Sequence, residues 1–159
     1  FTLKRGGQTR VTARVRRGPS PAEERTELAK LAGHWKPVRG EFNGQPLPAQ
    51  MFELVRSIVA EGNTIRIERT DGLRGALTVR LDPTATPKRI DATVTASPES
   101  TPVADITGIY KLEKDTLTIC VSERRDERPT EFVTRPRSGH RLVVFRRLQS
   151  DEGKGKRKP

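Results

Sequence analysis

Residues Leu31 to Gln50 read LAGHWKPVRGEFNGQPLPAQ and carry the only tryptophan in a chain of 159 residues. Trp35 stands two residues after Gly33, at the head of a polar/apolar alternation that runs from His34 to Phe42 and stops at Asn43-Gly44. Alternation with a period of two is the signature of a half-buried strand, and Asn-Gly is a strong signal for a tight hairpin turn. The stretch therefore marks the point where the chain changes from helix to strand, and an indole placed there is expected to close the end of a β-barrel rather than touch a substrate.

Upstream lies GPSPAEERTELAKLAG. Ser20 can cap a helix, Pro21 suits its first position, and Glu23 completes an S-x-x-E capping box. Leu28, Leu31 and Ala32 form a narrow apolar stripe, and Gly33 ends the helix. A short helix that docks on, or plugs, the following strands is expected. Downstream the alternation recurs over Leu54–Ala60, Thr64–Arg69, Leu77–Leu81, Ile90–Val94, Asp105–Glu113, Thr116–Ser122, Glu131–Thr134 and Arg141–Leu148. Gly62-Asn63, Asp71-Gly72 and Lys114-Asp115 supply short turns between them. Eight or nine sequential antiparallel strands favour an up-and-down barrel, because closure removes the edges that a flat sheet would expose. An apolar share of 32% and an aromatic share of 4% fit a thin core of this kind.

The domain reading is one barrel over residues 20–149, preceded by remnant strands or a linker over 1–19 and followed by a disordered basic tail over 150–159. The formal charge of +11 is concentrated at the ends, since the first 20 residues hold six Lys/Arg and no acid. Residues 21–149 hold 21 basic and 18 acidic side chains. A mixed-charge body with basic flanks is the reading, with a polyanion-binding arm as the alternative. Cys120 is alone, so no intrachain disulfide can form, and no run of about 18 apolar residues exists to span a membrane. The chain opens on Phe1, and a removed upstream segment carrying targeting information is expected. The compartment stays open, with an extracytoplasmic or cell-envelope setting favoured over the cytoplasm.

FTLKRGG at the start, with the strand after it, resembles the closing strand of the PEGA-like β-modules that follow membrane-linked Ser/Thr kinases in some bacteria. Five later blocks, LAGHWKPVRGEFNGQPLPA, LDPTATPKRIDATV, GIYKLEKDTLTICVS, ERPTEF and SGHRLVVFRR, together resemble the lipocalin-like domain of unknown function described mainly from planctomycete bacteria. The similarity runs from about Leu28 to Leu148 and departs at His34, where the family typically has a small residue. It implies an all-β, lipocalin-like, up-and-down antiparallel barrel of about eight strands with a short N-terminal helix, and no established activity. It also implies a structural signature of Gly33, Trp35 and a basic side chain from the last strand, either Arg146 or Arg147, laid on the indole.

Little in the residues points to catalysis. With His34 and His140 as the only histidines and Cys120 the only thiol, no metal-ligand spacing exists, and neither metal nor cofactor is expected. No G-x-S-x-G elbow, P-loop or dinucleotide fingerprint is present. His140, after Ser138-Gly139, reads as a turn histidine bonded to local backbone. SERRDERPTEF reads as a solvated loop with local ion pairs. Cys120 lies on the opposite pleat face from Leu117, Ile119 and Val121; if those face the outer packing layer, Cys120 faces the lumen, and if they face in, it is exposed. The strand aromatics are dispersed, so specific nucleic-acid reading is not expected.

A non-catalytic binding or interaction module follows, with a small apolar molecule or a protein as its partner and a monomeric barrel within a larger chain as its form. Trp35, Tyr110, Cys120 and Phe132 are the candidates to line a pocket, with the Tyr110 hydroxyl as a polar anchor. Two alternatives stand beside it. One is a filled barrel serving a larger signalling or cell-envelope protein; the other is a hydrolase-like or thiol enzyme using Ser138 or Cys120 with His140.

Overall fold

The computed structural model describes residues 18–95, 102–122, 124 and 127–149. Residues 1–17 of the expected N-terminal remnant (1–19) and the expected basic tail over 150–159 lie outside the described residues. Helix α1 (Pro21–Leu31) begins as the sequence dictates: the Ser20 hydroxyl accepts from the Glu23 amide at 3.1 Å, and the Glu23 carboxylate accepts from the Ser20 amide at 2.8 Å. Two of the orphan donors at the helix start are thereby satisfied reciprocally. The helix buries Leu31 and, against expectation, Glu27. Ala32 is exposed and caps the C-terminus instead of extending the apolar stripe.

Nine strands follow in chain order: β1 (Gly33–Phe42), β2 (Gln45–Pro46), then, after the five-residue helix α2 (Ala49–Glu53), β3 (Val55–Glu61), β4 (Thr64–Arg69), β5 (Arg74–Asp82), β6 (Arg89–Thr95), β7 (Pro102–Glu113), β8 (Thr116–Ser122) and β9 (His140–Arg147). From β3 to β9 every strand pairs antiparallel with the next, and β9 returns to pair with β1, closing an eight-stranded barrel to which the short β2 is an appendage. The expected up-and-down β-barrel is thus the fold. Closure runs in register from Arg141 opposite Phe42 to Arg147 opposite Trp35, with one irregularity between Val144 and Phe145.

One seam of the wall is short. Strands β1 and β3 pair only through Gly33–Ala60, His34–Val59 and Trp35–Ile58. Beyond Trp35 the two strands diverge, and α2 packs against both. Gly40 leaves the space this packing needs, since a Cβ there would lie 2.8 Å from the Leu142 carbonyl and 3.3 Å from the Phe52 ring. Asn43-Gly44 makes the expected turn, with φ of 52° and 83°. Positive φ at both positions is what a type I′ hairpin demands, and Asn and Gly tolerate it.

Two clusters hold the barrel. The lumen is lined by Trp35, Ile58, Ala60, Val79, Leu81, Ile90, Ala92, Tyr110 and Leu117, with Leu31 of α1 entering from one end. A second cluster of Ile109, Cys120, Leu142 and Val144 lies on the outer side of the wall. Residues 127–139 cross that outer face as an irregular strap, with Phe132 packed on the cluster and Pro129 fully buried. Two readings are corrected here. Glu131–Thr134 is not a strand, and the charged stretch before it is not simply solvated: Arg128 donates to the Gly108 carbonyl at 2.8 Å and pairs with Asp91 at 3.0 Å, pinning the strap to the wall. Among the described residues no helix is long and apolar enough to cross a membrane.

Candidate functional site

The two ends of the lumen are built differently. At the end where β1 begins, α1 lies across the opening and its C-terminal carbonyls meet partners from the barrel. The Trp35 indole donates to the Leu31 carbonyl at 2.8 Å, and the Arg147 guanidinium donates to the carbonyls of Lys30 and Ala32, both at 2.7 Å. Three of the carbonyls that a helix leaves unpaired are satisfied in this way, two of them by a cation at the negative end of the helix dipole and one by the indole. The same guanidinium lies 4.5 Å from the centre of the Trp35 ring and reaches Asp115 at 3.2 Å. Of the two arginines that could cover the indole, Arg147 does so, because it shares the inward face with Trp35 in the closing register, while Arg146 points outward and is exposed. Gly33 has φ of +132°, and a Cβ there would sit 3.2 Å from the Arg147 guanidinium. Backbone conformation and lack of room both call for glycine at that position.

A buried carboxylate completes the seal. Glu27 accepts from the Tyr110 hydroxyl at 2.8 Å and from Lys88 at 2.9 Å, with Lys30 at 3.4 Å. Burial pushes its pKa up, but the hydrogen bonds from Lys88 and Tyr110 outweigh that and hold the carboxyl below its ordinary value. Burial and the same carboxylate drive the Tyr110 phenol upward, so Tyr110 is a neutral donor. One turn earlier, Glu24 accepts from the Leu81 amide and from Arg80, each at 2.9 Å.

Toward the opposite end the lumen holds a cavity of about 210 Å³. Trp35 and Leu31 form its floor, the inward faces of β3 to β9 its wall, and Val121, Val143 and Arg141 its far side. Its lining contains sixteen apolar side chains and one charged one, Arg141. Arg141 is exposed, with its guanidinium 5.1 Å from the centre of the Phe42 ring across the β9–β1 closure.

Of the four candidate lining residues, only Trp35 borders this cavity. Tyr110 belongs to the luminal core but spends its hydroxyl on Glu27, away from the free space. Cys120 and Phe132 lie outside the wall. Leu117, Ile119 and Val121 do face in, so Cys120 faces out; yet it is wholly buried, because the strap crosses it and the Val133 carbonyl accepts from its thiol at 3.7 Å. Burial raises the thiol to about 11, with Glu41 adding to the effect. That suits a packing role and opposes a thiolate at neutral pH. Ser138 accepts from the amides of Arg135 and His140 at 3.4 and 3.1 Å, and the His140 carbonyl accepts from Asn43 at 3.2 Å, so these residues tie the strap to the Asn43-Gly44 turn. Among the described residues no group of three or more His, Cys, Asp or Glu side chains is placed to hold a metal ion.

The features the sequence did not disclose are Arg141 and Glu27. A charged residue in a strand or on a helix reads as solvent-facing, and only the register opposite Phe42, or a tyrosine 83 positions away, marks these two as exceptions. Comparison with family models, curated proteins and solved structures finds no match to this chain.

Proposed function

We propose that the chain is a non-catalytic, lipocalin-like binding barrel that takes a small apolar ligand into its lumen. The observation that supports this is the cavity: about 210 Å³, walled almost wholly by aliphatic and aromatic side chains. An apolar cavity of roughly 150 Å³ is already enough to stay dry and accept a benzene-sized molecule. The rigid wall and the sealed floor preform the space, so a ligand meets little ordering cost on entry. Binding would consist of burying apolar surface against Trp35, Leu77, Val79 and Phe145, with no covalent step.

Native mass spectrometry of the purified chain, followed by organic extraction, tests this. Retained mass that extracts as an apolar molecule, or mass acquired from a cell lipid extract, is the expected result. A clean apo mass before and after that incubation counts against it. A second reading, a filled barrel serving a larger signalling or cell-envelope protein, draws on the modest size of the cavity. Drug-sized ligands occupy roughly 300 to 1,000 Å³, and the floor of this lumen is already packed with Trp35, Leu31 and Tyr110. The clean apo mass is the outcome that reading expects.

A further inference from the structure

The cavity is apolar except at one point, and that point is a cation. Arg141 is the only charged side chain in the lining, no Asp or Glu shares it, and among the described residues Arg141 has no ion pair. Arg69, Arg74, Arg124 and Arg135 each pair with an acid, Asp71, Glu68, Glu127 and Glu131 in turn, while Arg39, Arg56 and Arg137 have no ion pair among the described residues but line no part of this cavity. The Phe42 ring at 5.1 Å orients the guanidinium without neutralising it.

Resting on the reading of the lumen as a binding cup, we propose that the ligand is a medium-chain amphiphile with an anionic, carboxylate-type head, held by Arg141 at the mouth while its chain enters the lumen. The planar guanidinium fork matches a two-oxygen head, and its exposure lets the head stay partly in water, so no ion has to be desolvated fully. Chain length follows from volume. A cavity of roughly 150 Å³ takes a benzene-sized molecule, so one of about 210 Å³ matches a chain somewhat larger than that. Octanoate, with seven carbons beyond its carboxylate, is the matching probe.

Octanoate, 1-octanol and acetate are titrated into the full chain near neutral pH by calorimetry, with Trp35 fluorescence as a second readout. Octanoate is expected to bind at least about tenfold more tightly than 1-octanol, a difference of ~1.4 kcal/mol, while acetate shows no saturable binding. Arg141→Gln should abolish the preference, bringing octanoate down to the affinity that the same variant shows for 1-octanol. Arg141→Lys, which keeps the charge and loses the fork, should retain part of it and guards against misfolding as the explanation. Equal binding of octanoate and 1-octanol by the unmodified chain overturns the head-group assignment while sparing the cup. Failure of both to bind overturns the cup and the assignment together.

Discussion

The helix-sealed floor and the far end of the same barrel, where Arg141 stands, show how one sheet can be tied down differently at its two ends. At the floor, each of these polar groups has a partner: helix carbonyls with indole and guanidinium, Glu27 with Tyr110 and Lys88, Glu24 with Arg80 and the Leu81 amide. At the mouth, strands β1 and β3 part company after Trp35, and Arg141 stands over Phe42 without an acid. Buried polar groups are costly unless satisfied, so the matched end is where stability concentrates. The unmatched end is where a ligand could still add interactions.

Substitutions should separate the two ends by size of effect. Trp35→Ala removes the floor's largest side chain and its bond to Leu31, and should destabilise the chain by roughly 3–5 kcal/mol in denaturant unfolding. A loss under about 1 kcal/mol would mean that α1 and not the indole seals the barrel. Glu27→Gln should cost about 2–3 kcal/mol, since it strips a buried carboxylate from two charge-assisted hydrogen bonds. The pH dependence follows in sign. Folded Glu27 and Glu24 both lie below their ordinary value of 4.5, so the unfolded chain binds protons more readily. Their contribution is fully present above that value and is lost as pH falls through the lower folded values, and Glu27→Gln should flatten this acid limb.

Arg147→Met should cost less, about 1–2 kcal/mol, by uncovering the indole and two helix carbonyls. Arg146→Met, its outward neighbour, should be close to neutral in the same melt. At the mouth, Arg141→Gln should change stability by no more than about 0.5 kcal/mol, as expected for an exposed side chain with no ion pair among the described residues and only the Phe42 ring beside it. A larger loss would show that the mouth, too, is part of the structural lock.

Much of this contrast was legible in the residues, and the rest failed for identifiable reasons. The capping box, the Asn43-Gly44 turn and the strand alternation are local, and local rules read them. The family resemblance narrowed the basic residue over Trp35 to Arg146 or Arg147 but no further, because pleat direction depends on the closing register. Helix α2 escaped notice because it is five residues long and Pro48 offers no side-chain cap. Glu131–Thr134 carries the strand-like pair Phe132-Val133, yet the chain bends there to lay Phe132 on the outer cluster that contains Ile109 and Cys120. Cys120 was expected either in the lumen or in water; a covering strap was the third possibility, and it depends on contacts that no period-two pattern encodes.

The central claim, that the upper lumen is free space, is tested most directly by filling it. Ala92 is buried and borders the cavity, so Ala92→Leu would place added methyl groups into it. The measurement is the denaturant midpoint of both chains, with and without 1-octanol. If the space is empty, the variant should be as stable as the parent or slightly more so, and it should lose the stabilisation that 1-octanol gives the parent. A destabilisation of about 1–3 kcal/mol, the mark of overpacking, together with no response of the parent to 1-octanol, would show a filled barrel and contradict the account.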